Sequence, residues 1–554
     1  MKKLLLSLIA LFAMISMATA QRAWAYDLGL TSSGDSYTFT FKAVTAGDAT
    51  LVFYKDGIEA ATLNLGSISA GDNTVTKTSE ELLGAIQQSG DFNWGVKMTG
   101  GAIAEMKELT KDSETDFHFW MPTGVAVDNN PESPYFSQFY IASPRSGKMT
   151  EGGGSGIQHN AGVYVFDQTL KLLNETKQQG YLPSNVKSYV SGSNHMELHR
   201  IAVNPITHKV AFTHQSTSVT AAVWNMDPAD MKATATNLID GTAITKSNSL
   251  CFDENGVLYV VNSTDKKVYT VKDGVVNTFG TSAEFIQDRN AIVTDGRGGL
   301  WIAQYRAQDI AQDGYARLMH FNAEGTLDYK VDKDTPHDFT GTAQRGAVAY
   351  NTKEDVLAFG ANRYGNLYKV TYNAETGVPS LESIGKTPSI AANIDGLAFD
   401  YAGDLYVTSA SVERLFKYEV PTTNNTCTTP AKKSQVITLV SATPEHTVTI
   451  NVNGIGTVTG ANTGTYLEGT ELTLTATPAE HYEFTGWTGD VESTDNPLTI
   501  TVDGNKNITA KFEKQKHILT VFVNDENKGT IDVATGSYEY GTEVTLTATP
   551  KEGD

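Results

Sequence analysis

A short β motif recurs six times between residues 121 and 420, and it constrains the fold of this chain more than any other feature. Each copy has a four-residue apolar segment that closes on Asp or Asn, then a turn, then a second apolar segment. The closing residues are separated by 76, 49, 42, 56 and 49 positions. The six first segments are VAVD at 125–128, IAVN at 201–204, LCFD at 250–253, IVTD at 292–295, VAYN at 348–351 and LAFD at 397–400. A β unit that repeats at this period predicts a β-propeller with six blades.

Most copies complete a four-stranded meander, because two further apolar segments follow across Asp-Gly or Asn-rich turns. The sixth copy ends at Val420 without a fourth strand, whereas FHFW at 117–120 precedes the first copy in the position of one. We therefore predict that this N-terminal segment pairs with the last blade. Such pairing would close the ring and remove an exposed sheet edge.

These blades resemble the NHL-repeat and gluconolactonase-like six-bladed propellers, and the resemblance covers residues 113–421. The resemblance implies the fold. It implies no single activity, since many unrelated functions share such rings.

Residues 1–20 have the features of a signal peptide: basic Lys2 and Lys3, an apolar stretch at 4–14 and an Ala-Thr-Ala cleavage site at 18–20. The apolar stretch is too short to span a bilayer. We therefore predict an exported protein, extracellular, on the cell surface or periplasmic, without a transmembrane anchor in these residues.

The formal net charge is −21, and it becomes −23 when the two lysines of the signal peptide leave. Together with the absence of any basic run, this argues against nucleic acid as a partner. Cys251 lies in an apolar segment of the ring and Cys427 lies after the ring, so their positions do not favour a disulfide.

Residues 21–112 predict a separate β module, with alternating strands at 36–43, 50–57, 60–66 and 92–98 and a short helix at 80–88. This order is similar to the Ig-like module of flagellar hook-assembly proteins and of many bacterial surface proteins. The resemblance implies a small β-sandwich that serves as a spacer or docking domain.

Residues 422–436 are rich in Thr, Asn and Pro and predict a linker. Beyond them GTELTLTATP at 469–478 returns as GTEVTLTATP at 541–550, an offset of 72 residues. With the Gly-Trp pair at 486–487, this region closely resembles the divergent internalin B-type repeats common in exported proteins of Bacteroidetes-like bacteria. The resemblance implies one complete module at 437–514 and a truncated copy at 515–554, and we expect the sequence to belong to a longer protein.

The predicted fold class is therefore all-β. It comprises an N-terminal Ig-like β-sandwich, a six-bladed β-propeller and small C-terminal β repeat modules.

The inner strands of a propeller begin around the mouth of its central channel, so the residues just before them are candidate binding residues. Two positions before the six segments, five polar residues and one glycine occur: Thr123, His199, Asn248, Asn290, Gly346 and Asp395. Further candidates are adjacent in sequence or lie in long loops that would overhang the mouth: Glu197, Arg289, Arg345, Tyr305 and Tyr315. The two tyrosines could stack on a sugar. Such residues can also simply satisfy backbone groups and channel water.

The segment IDGLAFD at 394–400 matches a phrase in which gluconolactonase-like enzymes place an Asp that binds metal and acts as a base. This resemblance implies Asp395 as a candidate catalytic residue and Ca²⁺ held by Asn248, Asn290 and Asp395, all of them hard oxygen ligands. Thr123 stands where that family has a Glu ligand, and the missing negative charge argues against hydrolysis.

Two classes of function follow. The favoured hypothesis is a non-enzymatic surface or secreted protein whose propeller loop face binds a glycan, peptide or protein. The alternative is a gluconolactonase-like hydrolase, or the non-catalytic part of a longer exported enzyme whose catalytic domain lies beyond residue 554.

Overall fold

The computed structural model describes most of the chain after the predicted signal peptide. The described residues are 21–110, 115–148, 156, 158–186, 197–216, 219–239, 244–245, 247–262, 264–281, 290–304, 318–331, 346–361, 363–390 and 393–551. Across these ranges the chain is almost entirely β, as predicted, with a single α-helix.

The first module is a sandwich of two sheets around one core. Its elements are β1 (Ala25–Ser33), β2 (Ser36–Ala43), β3 (Gly47–Lys55), β4 (Ile58–Ile68), β5 (Gly71–Thr78), α1 (Ser79–Ile86) and β6 (Gly90–Thr99). One sheet has the order β1-β2-β5, and the other contains β4-β3-β6. Phe39 of the first sheet packs on Trp94 of the second, with ring centroids 4.9 Å apart. The helix predicted at 80–88 is present at Ser79–Ile86, where Thr78 and Glu81 form a reciprocal cap.

The central region is a propeller-like ring of small antiparallel sheets, and the described residues form six sheets around the ring and a separate two-stranded hairpin. Its strands are β7 (Lys107–Glu108), β8 (Gly124–Val127), β9 (Phe139–Ser143), β10 (Gly147–Lys148), β11 (Gln158–His159), β12 (Gly162–Phe166), β13 (Glu197–Val203), β14 (Val210–Ser216), β15 (Val219–Met226), β16 (Thr236–Asn237), β17 (Ser247–Phe252), β18 (Leu258–Asn262), β19 (Lys267–Lys272), β20 (Val275–Thr281), β21 (Asn290–Thr294), β22 (Leu300–Gln304), β23 (Leu318–Phe321), β24 (Leu327–Val331), β25 (Ala347–Asn351), β26 (Val356–Ala361), β27 (Tyr364–Tyr372), β28 (Pro379–Lys386), β29 (Gly396–Phe399), β30 (Leu405–Ser409) and β31 (Arg414–Glu419). The inner strands β8, β13, β17, β21, β25 and β29 contact one another in that order, and β29 contacts β8, so the ring is closed.

The sheets follow the chain order, blade by blade. Blade 1 has the order β12-β9-β8, blades 2 to 5 are the four-stranded sheets β13–β16, β17–β20, β21–β24 and β25–β28, and blade 6 has the order β29-β30-β31-β7. At the outer edge of blade 1 the described chain pairs through three isolated bridges: Asn160 with Gln179, Val163 with Tyr181 and Phe166 with Leu172.

The Asp or Asn that closes each inner strand holds the turn that follows it. Asp253 Oδ1 accepts hydrogen bonds from the backbone N–H groups of Asn255 and Val257, at 3.0 and 2.7 Å. The equivalent oxygen accepts a turn N–H in the other five copies, at Asp128, Asn204, Asp295, Asn351 and Asp400. A short side chain with an acceptor oxygen is needed at this point of the turn, and this explains why the motif recurs.

The ring is closed by the N-terminal segment, although through a different strand from the one predicted. β7 pairs with β31, joining Glu108 to Tyr418 and Lys107 to Glu419. The predicted segment at 117–120 contributes only an isolated bridge between His118 and Arg414. The predicted ring boundary at residue 113 therefore falls after a strand that belongs to the last blade.

The predicted linker at 422–436 contributes to the sandwich. The chain forms β32 (Thr426–Pro430) and β33 (Ile437–Leu439), and both pair with β6. Ile437 and Leu439 are buried in the sandwich core. The Thr-rich composition suits an extended strand as well as a loop, and the edge of β6 supplies the partner that the local sequence does not reveal.

The sandwich is docked on the ring through residues that follow the predicted cleavage site. Arg22 Nη1 lies 2.6 Å from Glu354 Oε1, and the Arg22 backbone N–H donates to Glu419 Oε1 at 2.9 Å. The buried Trp24 ring packs against Phe136 and Tyr401, with centroids 6.1 and 6.5 Å away. All four of these partners lie on the side of the ring where the inner strands end.

The C-terminal region contains two unequal modules. Its strands are β34 (Glu445–Asn453), β35 (Gly456–Thr459), β36 (Gly464–Leu467), β37 (Glu471–Pro478), β38 (Tyr482–Gly489), β39 (Leu498–Thr501), β40 (Lys506–Lys514), β41 (Lys516–Leu519), β42 (Gly529–Ile531), β43 (Gly536–Glu539) and β44 (Ala548–Pro550). The first seven form two sheets, β36-β34-β40-β38 and β35-β37-β39, around a core that includes the buried Trp487. The last four form only two-stranded pairs, and Ile518 and Phe522 are 75% and 83% exposed.

Candidate functional site: the mouth of the ring channel

The residues just before the six apolar segments meet around the axis of the ring. With the first apolar residue of each segment, they line a channel that has about 50 Å³ of open space. Five of these residues are small and one is large: Gly124, Arg200, Ser249, Ala291, Ala347 and Gly396.

Arg200 connects blade 2 to three other blades. Its Nη1 donates to the carbonyl oxygen of Thr123 at 3.2 Å and to that of Asp395, and its Nη2 donates to the carbonyl oxygen of Gly346. The pairing register of β13 shifts between Leu198 and Ile201, and such a bulge re-aims a side chain. Because the guanidinium is a planar fork of five N–H donors, one side chain can satisfy carbonyl groups from several strands.

Two glycines near Arg200, Gly346 and Gly396, allow the strand ends of neighbouring blades to come close together. A Cβ atom at Gly346 would lie 2.5 Å from the carbonyl oxygen of Ala303, and one at Gly396 would lie 2.9 Å from the Cα atom of Gly124. Any side chain at these positions would push the blades apart. The glycines therefore keep the carbonyl groups of the strand ends within reach of one guanidinium.

Sequence reasoning missed Arg200, although a signal for it was present. The six repeats, once aligned, have Gly, Arg, Ser, Ala, Ala and Gly immediately before the apolar segment. A single long cationic side chain among five small ones predicts that this side chain fills the shared space.

Three of the predicted mouth residues are described with their side chains, and all three are buried: Thr123, Asn290 and Asp395. Arg200 brings the backbones of Thr123 and Asp395 together through their carbonyl groups. The Asp395 carboxylate accepts the backbone N–H of Ala410 at its Oδ2 atom, at 2.7 Å. This bond directs the carboxylate toward the turn between the second and third strands of blade 6.

The remaining predicted residues are not described at the level of their side chains. Glu197 and His199 lie in β13 and Asn248 lies in β17, and for these three residues only the backbone is described. Arg289, Arg345, Tyr305 and Tyr315 lie outside the described residues. Their roles stay predictions.

The position of Arg200 bears on the calcium hypothesis. A Ca²⁺ ion at Asn290 and Asp395 would lie near the Arg200 guanidinium, a like charge, and the two would repel each other. Within the described ranges, no group of three or more His, Cys, Asp or Glu side chains is arranged to hold a metal ion. The predicted ligand set contains one carboxylate and two amides, so the metal site stays a prediction.

Between the second and third strands of blade 1, on the mouth side of the ring, β10 pairs with β11. Lys148 and Gln158 are exposed on this hairpin, and His159 is buried. Burial, together with the nearby His118, lowers the pKa of His159 to about 4. His159 is therefore neutral near pH 7, and its buried ring supports the hairpin while Lys148 and Gln158 face solvent.

The opposite side of the ring contains a buried cluster of charges beneath the sandwich. Lys417 Nζ lies 3.0 Å from Asp400 Oδ2 and 3.2 Å from Asp404 Oδ2, and all three side chains are buried. Burial raises the pKa of Asp404 to about 7, and the charge of Asp400 adds to the effect while Lys417 opposes it. The cluster lies close enough to the anchoring residue Arg22 for the Arg22 charge to favour the ionised form of Asp404.

A family model for the divergent InlB B-repeat domain matches residues 446–516 and 519–553. No curated protein gives a significant match. Within the described residues, no helix combines the length and apolar character needed to cross a membrane.

Several solved structures resemble the chain at low identity. A putative oxidoreductase (glucose dehydrogenase) of Thermus thermophilus is 12% identical, covers 57% of this chain and 99% of its own, and has a TM-score of 0.36. An auxiliary nutrient binding protein of Bacteroides thetaiotaomicron is 10% identical, with coverage of 72% and 98% and a TM-score of 0.35. A virginiamycin B lyase of Staphylococcus aureus is 12% identical, with coverage of 57% and 99% and a TM-score of 0.33. At such identities and scores, these likenesses assign no function to this chain.

Proposed function

We propose that this is an exported, multidomain protein of the bacterial surface, and that the loop face of its ring binds a glycan, peptide or protein partner. The loop face is the side on which the inner strands begin, around Thr123, Arg200 and Asp395. The sandwich, which we propose to be Ig-like, and the InlB-type repeats would place this face away from the cell.

The proposal rests on the observation that the sandwich occupies the face of the ring opposite the loop face. Arg22 pairs there with Glu354, Trp24 packs on Phe136 and Tyr401, and the Lys433 backbone N–H donates to Glu132. The sandwich therefore covers much of the side where the inner strands end. A binding surface that is built from loops on a rigid scaffold is then expected on the other side.

The alternative function, a lactonase-like hydrolase with Asp395 as its base, has less support. Thr123 stands in place of a carboxylate ligand, and the Arg200 guanidinium lies beside the position where the metal would act. A binding role needs neither a metal nor a base at the mouth.

The test uses the mature chain, residues 21–554, on a glycan array and against a displayed peptide library and surface-protein extracts. Any retained ligand is then titrated against two double variants. Lys148→Ala with Gln158→Ala changes the blade 1 hairpin of the loop face. Lys272→Ala with Asn255→Ala removes a similar exposed pair from turns on the opposite side.

We expect the loop-face pair to weaken binding at least tenfold, which corresponds to about 1.4 kcal/mol, and the control pair to leave it unchanged. Equal affinities of the two double variants would overturn the proposal, as would the absence of any retained ligand. Turnover of a sugar lactone that is lost in Asp395→Asn would favour the hydrolase instead.

A further inference from the structure

A cleft of about 420 Å³ lies between the sandwich and blade 1, on the side of the ring opposite the loop face. The sandwich contributes residues 26–28, 429–432 and 435. Blade 1 contributes residues 131, 133, 134, 136 and 138, and also residues 167, 168 and 173. Clefts of this size between domains are common sites for small ligands.

The two walls of the cleft are fixed relative to each other. β32 extends the sandwich sheet by pairing with β6, which holds Thr429 opposite Val96. The Lys433 backbone N–H donates to Glu132 Oε1 at 2.9 Å and so joins the segment to blade 1. The cleft is therefore formed before any ligand arrives, and binding would cost little ordering entropy.

Two buried polar atoms of the cleft lack a partner among the described residues. The Gln435 side chain donates through Nε2 to the carbonyl oxygen of Leu28 at 3.1 Å, while its buried Oε1 accepts no hydrogen bond. The Thr429 side chain is 1% exposed, and its hydroxyl also has no partner within the described part of the chain. Buried polar groups are nearly always paired, so these two atoms point to a bound molecule or ordered water.

Further hydrogen-bonding capacity lies closer to solvent. The Gln168 amide makes no hydrogen bond to another described residue, and Gln138 uses only its Oε1, which accepts from the Tyr140 hydroxyl at 3.3 Å. Asp167 accepts three hydrogen bonds from its own turn, all at Oδ1. The cleft thus offers amide donors, amide acceptors and a carboxylate oxygen.

Apolar surface lines the same cleft, chiefly the rings of Tyr26 and Phe136 and three prolines. Aromatic rings beside amide and carboxylate groups suit a ligand whose hydroxyl groups donate and accept while its C–H faces pack on the rings. The Asp27 carboxylate is paired with Lys42 at 3.0 Å, and the Asp167 carboxylate and the Lys432 ammonium are of opposite sign, so the cleft has no excess of charge that would favour an ionic ligand.

We infer that this interdomain cleft is a second binding site, and that it takes a short neutral oligosaccharide. This site is independent of the proposed loop-face function, because it is formed by the opposite side of the ring and by the sandwich.

The experiment titrates the mature chain with neutral oligosaccharides of glucose, galactose, mannose and xylose, and with oligogalacturonate as an anionic probe, using calorimetry. We expect one neutral series to bind with a dissociation constant of about 1 mM or below. Gln168→Ala should weaken that binding at least fivefold without changing the melting temperature, since the side chain has no partner within the described residues. Thr429→Val, which replaces the buried hydroxyl with a methyl group, should weaken it as well.

The matched control is Gln158→Ala, which removes an exposed glutamine from the loop face and should leave this binding unchanged. Three results would overturn the inference: no neutral sugar bound by the wild type, unchanged affinity in Gln168→Ala, or equally tight binding of oligogalacturonate. Loss of sugar binding in Gln158→Ala alone would place the sugar on the loop face and would also overturn the cleft assignment.

Discussion

Replacement of Arg200 by Met should loosen the ring at its axis. The substitution keeps an unbranched apolar stem and removes the guanidinium that donates to the carbonyl groups of Thr123, Gly346 and Asp395. Each hydrogen bond from a charged group contributes roughly 1.5–3 kcal/mol, so three of them set an upper range of about 5–9 kcal/mol. The channel has about 50 Å³ of open space, and water that enters it can replace part of the loss. We therefore expect a net destabilisation of about 3 kcal/mol.

Amide hydrogen exchange of the full mature chain measures this effect blade by blade. A loss of about 3 kcal/mol raises the local opening constant by roughly 100-fold, and we expect this acceleration in peptides from β8, β25 and β29. Peptides from β3 and β6 of the sandwich serve as the internal control. Arg200→Lys should give an intermediate effect, because an ammonium keeps the charge without the planar fork. Exchange within about twofold of wild type in all three strands, or an equal rise in the sandwich, would refute a role for Arg200 in holding the blades.

Three further predictions follow from the charges and the exposed surfaces. Burial holds the pKa of Asp404 at about 7, so its contribution to stability is complete below the unfolded value of about 4 and is lost as the pH rises through 7. Asp404→Asn should therefore be more stable than wild type at pH 8, by roughly 1–3 kcal/mol in urea unfolding, and a variant less stable than wild type at pH 8 would contradict this. Chymotrypsin should cleave first near Phe522, which is 83% exposed, while residues 445–514 persist; equal protection of both modules in a digestion time course would show that the second copy is covered. Calorimetric titration with Ca²⁺ tests the metal hypothesis: Asp395→Ala should abolish binding and Arg200→Met should strengthen it by removing a like charge, whereas a wild type that binds no Ca²⁺ ends the hypothesis.

The blades could be predicted from the sequence because the interactions that define them are local. In each copy, an Asp or Asn holds the N–H groups of a turn only two to four residues away, and the apolar segments pair with their immediate neighbours. A local pattern of this kind repeats visibly along the chain. The same holds for α1, whose capping residues Thr78 and Glu81 are three positions apart.

The contacts between modules were not predictable in the same way. β7 is two residues long and pairs with a strand about 300 residues later, so it has no periodic pattern of its own. β32 and β33 pair with β6 from a similar separation, and their Thr-rich sequence is equally typical of a loop. Arg22 and Trp24 dock the sandwich through contacts with Glu354, Phe136 and Tyr401. These partners are far away in the sequence, so the docking role cannot be seen from the local sequence.

Only part of the predicted mouth can be compared with the structure, and its role in binding stays a prediction. Thr123 and Asp395 do lie at the channel mouth, but they meet there through their backbone carbonyl groups. The sequence draws attention to polar side chains two positions before each strand. The side chain that joins the blades is one position nearer, because a bulge in β13 turns Arg200 toward the axis.

The most direct test of the central claim is a hydrogen-exchange footprint of the mature chain with and without its retained partner. The claim predicts slower exchange in loop-face peptides, residues 143–162 and 387–396, and unchanged exchange in the turns of the opposite face at 253–257 and 271–276. Protection confined to the opposite face, or spread equally over both faces, would contradict the assignment of partner binding to the loop face of the ring.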